Sequence, residues 1–110
     1  MAEPTLTQVF GAGTTQDSTT FTITKADLAS AGYTPSASDS AEKILAAIID
    51  KARQSLTSTG ADTNSDQSIV FDDNPFFSGT ERNNTRYTRL SLTVNFDTAV
   101  SVTGIVPNNY

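Results

Sequence analysis

DSAEKILAAIIDKARQSL, Asp39 to Leu56, is the stretch that decides the fold. Its large apolar residues fall at Ile44, Leu45, Ile48, Ile49 and Leu56 with Ala52 between them, while Glu42, Lys43, Asp50, Lys51, Arg53 and Gln54 take the other side. That spacing is a 3.6-residue stripe and predicts one main amphipathic helix over about 39–57. Asp39 followed by Glu42 reads as a capping box, and Gly60 as the residue that ends the helix in a left-handed conformation. A lone helix of this length is marginal in water, so the stripe needs a cover. Burying it is worth roughly 10 kcal/mol gross, at about 1.5–3 kcal/mol per large side chain, and a sheet is the natural partner.

Outward from the helix, the strongest strand signal is Arg86 to Phe96. Leu90, Leu92, Val94 and Phe96 alternate with Arg89, Ser91, Thr93 and Asn95, which marks an antiparallel strand with one buried and one wet face. Thr19 to Thr24 alternates in the same way through Phe21 and Ile23. Gln67 to Asp72 reads as a short strand ended by Asp73, Asn74 and Pro75, since Pro cannot donate to a ladder. Ala99 to Val106 reads as a last strand, with Val100 and Val102 in phase. Lys25 to Ala31, preceded by Thr24 and followed by Gly32, predicts a short helical turn. Thr57 to Ser65 reads as a polar loop, and Glu81 to Thr85 as a polar turn. Thr5 to Phe10 reads as extended.

Together these predict an α+β fold of two layers, the helix on an antiparallel sheet of 4–5 strands. The chain divides into an extended arm (1–18), one domain (19–106) and a tail (107–110).

Composition narrows the function. Val, Ile, Leu and Phe supply 24 of 110 residues, about 22%, just above the level where disorder becomes the better expectation. The core is therefore lean. Thr (18) and Ser (12) give a neutral, hydroxyl-rich surface. There is no Cys and no His, which removes disulfides, thiolate metal sites and the commonest general base. A net charge of −5 argues against a nucleic-acid partner, because phosphates need a basic face. No apolar run approaches the ~20 residues of a membrane span, and a secretory leader is not expected.

Several constellations suggest chemistry. Asp62, Asn64, Asp66 and Asp73 sit at positions 1, 3, 5 and 12 of a calcium-type loop, which makes a small calcium-binding module the alternative function. The match breaks at Gln67, where the sharp turn calls for Gly, and at Asp73, which is shorter than the usual Glu. Asp72 and Asp73 are adjacent, so on a strand they point apart and do not form an acid/base pair. Gly11 to Thr14 lacks the Lys and the helix of a phosphate loop. Without His, a nucleophile would depend on Lys25, Lys43 or Lys51, so no enzymatic activity and no cofactor are expected.

Arg82, Arg86 and Arg89 form the one basic cluster, with Tyr87 inside it. They grip a carboxylate on a partner subunit or a phosphate backbone, or they guard an edge strand against unwanted pairing. Phe76 and Phe77 are interface anchors if exposed and core residues if buried. Phe10 in the arm and Tyr110 in the tail are further partner-binding candidates, with Ile105 and Val106 beside the latter.

Four stretches carry a resemblance: Pro4 to Phe10 (PTLTQVF), Ile23 to Leu28 (ITKADL), the amphipathic helix, and Asp66 to Ile69 (DQSI). They are similar to small uncharacterised proteins of cyanobacteria and of the tailed phages that infect them. The resemblance implies a virion structural component, such as a capsid cement protein or a head or tail accessory subunit. Its partners would be copies of itself, a major capsid protein or another virion subunit. It transfers no functional residue.

Overall fold

The computed structural model describes residues 3–29 and 32–110. The chain is α+β. The main helix, α2, runs from Ala41 to Ser55. Ser40, not Asp39, caps it, accepting the Lys43 amide at 3.1 Å. Both residue types cap well, but Asp39 is engaged elsewhere. Its carboxylate accepts the Tyr33 hydroxyl at 2.9 Å, the Ser36 amide at 3.1 Å and the Ser36 hydroxyl at 2.9 Å. Lys43 at 3.1 Å and Lys25 at 3.4 Å complete the ring of donors. The chain before the helix is thereby tied to the helix's first turn.

Gly60 does not end α2. The helix stops at Ser55, Leu56 turns away, and Thr57 caps a second helix, α3 (Ser58–Thr63), which contains Gly60. The segment expected as a polar loop is helical because the Thr57 side chain takes up the Gly60 amide at 2.9 Å.

The first element is also a helix. Leu6–Phe10 forms α1 inside a complete capping box: Gln8 N–H to Thr5 Oγ1 at 3.1 Å, Thr5 N–H to Gln8 Oε1 at 3.0 Å. This corrects the extended reading of Thr5 to Phe10. α1 packs on α2, with Val9 buried and the Ser55 hydroxyl donating to the Gln8 carbonyl. Residues 3–18 are therefore no free arm; residues 1 and 2 of the expected arm lie outside the described residues. Lys25–Leu28 forms a 3₁₀ turn, shorter than the expected helix over 25–31, whose residues 30 and 31 lie outside the described residues.

Among the described residues the strands form three separate antiparallel ladders in place of one sheet: β1 (Thr15–Gln16) with β2 (Phe21–Thr22), β3 (Ile69–Phe71) with β6 (Val94–Phe96), and β4 (Phe76–Arg82) with β5 (Thr85–Ser91). The stretch from Arg86 to Phe96 is thus not one strand. It breaks at Leu92 and Thr93, so its first half joins the β4–β5 hairpin and its second the β3–β6 ladder. Thr19 to Thr24 keeps only Phe21 and Thr22 in a ladder. Ala99 to Val106 has no strand partner among the described residues. The chain then folds back through a 3₁₀ turn, Pro107–Asn109, and places Tyr110 edge-on to Phe96, ring centres 5.5 Å apart.

Two small clusters make the core, one at each end of α2. Ala52 and Leu56 meet Val9 and Phe71, with Phe10, Ile69 and Val94 against them. Ala47 meets Leu28 and Tyr33, with Ile23 and Ile48 against them. Ile48 is therefore covered, but by the 3₁₀ turn and its flanks, and Ile44 is half-buried. The sheet covers only the far end of the helix. Leu45 stays 56% exposed and Ile49 36%.

The molecule buries little for its size. Its accessible surface is 7948 Å², against roughly 5,900 Å² for a folded monomer of this mass. The radius of gyration, 16.0 Å, compares with about 13 Å for a compact chain of 110 residues.

Candidate contact surface

The β4–β5 hairpin is the element that makes the molecule long. Its two strands contact each other and no other element to a comparable extent. Seven residue pairs run from Phe76 opposite Ser91 to Arg82 opposite Thr85, joined by Asn83 and Asn84, both at positive φ (51° and 65°). Two consecutive left-handed residues make the hairpin turn whose twist matches that of the strands, and Asn tolerates that conformation.

Phe76 is 66% exposed and Phe77 64%. Both side chains are therefore on the surface and not in the core. In an antiparallel ladder opposed side chains share a face. Phe77, Gly79 and Glu81 thus lie with Leu90, Thr88 and Arg86, and Phe76 lies with Ser91 on the other side. Leu90 is 53% exposed, so Phe77 and Leu90 form an apolar pair open to water.

Arg82, Arg86 and Arg89 all stand on this hairpin. Arg82 lies over the Tyr87 ring at 4.8 Å, a cation–π contact. Arg86 and Arg89 line β5, whereas β4 is uncharged from Phe76 to Thr80.

An apolar groove of about 650 Å³ continues from the hairpin's base under α2, lined by Ile49, Leu56, Phe71, Leu92, Phe96 and Tyr110 among others. A neighbouring hollow of about 400 Å³ shares Ile49 and Leu92 with it and extends to Phe77 and Leu90. Phe10 is half-buried and packs edge-on against Phe21 at 5.1 Å, and Tyr110 packs on Phe96. Both terminal candidates are thus occupied within their own chain.

Two of the calcium-type residues are neighbours, the Asp66 amide donating to Asn64 Oδ1 at 3.1 Å. Asp62 is helical within α3, Asn64 caps that helix, and Asp73 accepts the Ser58 hydroxyl at 2.7 Å. Asp72 accepts the Asn95 amide at 3.2 Å. Among the described residues no group of three or more acidic, His or Cys side chains is placed to hold a metal ion. At Gly11 to Thr14 the chain receives its own carboxylate, since the Gly13 amide donates to Asp27 at 2.7 Å. No helix among the described residues is long and apolar enough to cross a membrane.

Sequence reasoning found Phe76, Phe77 and the arginines but missed Leu45, Ile49 and Leu90 as surface residues. Periodicity marks an apolar face; it does not say whether the fold covers it. Comparison with protein-family models, with curated proteins and with solved structures finds no match.

Proposed function

We propose that this protein is a non-enzymatic structural component of a larger particle and acts through protein–protein contacts. The observation that carries this reading is the apolar surface left open by a lean fold: Phe76, Phe77, Leu90 and Leu45 each more than half exposed. Open apolar area of this extent on a small chain marks a surface meant for a partner. A two-stranded ribbon standing alone is marginal in water, which points the same way. The particle is a phage virion, with this chain as a capsid cement or head or tail accessory subunit. That part rests on the resemblance of the four stretches named above. Its partners are its own copies or another virion subunit.

Electron microscopy of purified particles, with an antibody against the chain, tests the reading. Regularly spaced decoration of the particle surface is expected. Particles without label, together with a chain that stays free in solution, would count against it.

A further inference from the structure

We propose that the free edge of β4 is a docking strand for a second copy of this chain, paired antiparallel about a two-fold axis at Ser78. The inference rests on the assembly reading above and names the surface and the occupant.

The edge itself is the first argument. Among the described residues β4 pairs with β5 alone, so its outer side offers backbone donors and acceptors to a further strand. Proteins blunt such edges with charge, proline or cover. Both strands carry two charged residues, Glu81 and Arg82 at the turn end of β4 and Arg86 and Arg89 along β5. β5 is thereby guarded along its length, whereas β4 keeps an uncharged run of five residues, Phe76 to Thr80, between Pro75 and Glu81, and that run is the open part of its edge.

Hydrogen-bond phase supplies the second. In a two-residue hairpin the residues flanking the turn, Arg82 and Thr85, form a hydrogen-bonded pair, and the pattern alternates along the strand. Arg82, Thr80, Ser78 and Phe76 therefore direct their amides and carbonyls at β5. Phe77, Gly79 and Glu81 direct theirs outward. A two-fold axis at Ser78 sets Phe77 of each copy opposite Gly79 of the other, and both residues have outward groups to exchange. Pro75, which has no amide to give, falls at the end of the new ladder.

Shape supplies the third. On the face that carries Phe77, a hollow of about 210 Å³ is lined by Gly79, Thr80, Glu81 and Arg86. An Arg86 guanidinium nitrogen lies 3.7 Å from where a Gly79 side chain would begin. The second copy's Phe77 enters this hollow, covers the bare glycine backbone and lies beside the guanidinium, a favourable cation–π arrangement. The resulting four-stranded sheet carries Leu90, Phe77 and their two symmetry mates as one apolar stripe. Two-fold interfaces use the same patch twice, and here Phe77 and Gly79 are each other's complement at the required spacing.

Because the native chain has no cysteine, cross-linking reads the geometry directly. Under mild oxidation, Ser78→Cys should form a covalent dimer, since residues facing each other in a non-hydrogen-bonded antiparallel pair lie within disulfide reach. Thr88→Cys, on the guarded strand, should not. Gly79→Pro removes an outward amide without touching the β4–β5 ladder. It should lower the dimer fraction at least tenfold in sedimentation, with an unchanged circular dichroism spectrum. Assembly that persists without a Ser78→Cys cross-link, or that cross-links through Thr88→Cys, overturns this edge and leaves the assembly reading standing. A chain that stays monomeric at every concentration overturns the inference and removes self-association from that reading, leaving a different virion subunit as the partner.

Discussion

Asp39 shows how single residues hold this small fold. Its side chain is 1% exposed and is surrounded by donors from Tyr33, Ser36, Lys25 and Lys43. The Ser36 amide, opposed by burial and joined by the Lys43, Tyr33 and Ser36 side chains, holds the carboxyl well below the ordinary carboxylate range. The Tyr33 hydroxyl is pushed up in turn, by burial first and then by Asp39. A depressed carboxyl binds fewer protons folded than unfolded. Its stabilisation is therefore complete above the unfolded value of about 4 and is lost as pH falls through that value toward the folded one. Thermal melts from pH 7 to pH 2 should show a steep acid loss that is shallower in Asp39→Asn. That variant should melt roughly 5–10 °C lower at pH 7. Asp17, lowered to about 2 by the Thr19 and Thr20 amides, is exposed and adds to the same acid limb.

Gly11 is the second such residue. It sits at φ 116°, and a Cβ there would come within 2.3 Å of Asp27 Cβ. Gly11→Ala combines backbone strain with a clash and should cost upward of about 2 kcal/mol in urea unfolding. Nothing in the sequence announces this contact, because Asp27 is brought to Gly11 by the β1–β2 excursion between them.

At the scale of elements, α2 carries two unequal faces. Leu28, 1% exposed against Ala47, is the largest fully buried side chain. Leu28→Ala should cost about 2–5 kcal/mol. Leu45→Ala, at an apolar position of the same helix left open, should change monomer stability by no more than about 0.5 kcal/mol. Equal costs at the two sites would mean that the stripe is covered along its whole length.

The helix was legible because fifteen residues give four turns of periodic signal. α1 was not, because five residues hold little more than one turn. Its only local mark is the Thr5 and Gln8 capping pair. Alternation from Leu90 to Phe96 marked strand structure but not its cover: Leu90 and Phe96 on the expected inner face are exposed, Leu92 and Val94 are half-buried, and the break at Leu92 and Thr93 was invisible. Alternation at Val100 and Val102 likewise promised a strand where the described residues offer nothing to pair with. The candidate surface was half legible: residue types named Phe76, Phe77 and the arginines, but the open edge of β4 exists only once β5 is seen to be its sole ladder partner among the described residues.

For the whole molecule, an accessible surface of 7948 Å² exceeds that of a compact monomer by roughly 2,000 Å². A standard interface removes about 800 Å² from each partner, so about two or three such contacts per chain would bring the surface back to the ordinary range. The hairpin and the groove beneath α2 are where that area lies. Light scattering on the size-separated chain, over micromolar to millimolar concentration, tests this most directly. A mass of at least twice 11.7 kDa, falling to the single-chain value in Phe77→Ser while the fold is retained, is the expected result. A mass of 11.7 kDa at every concentration would contradict it.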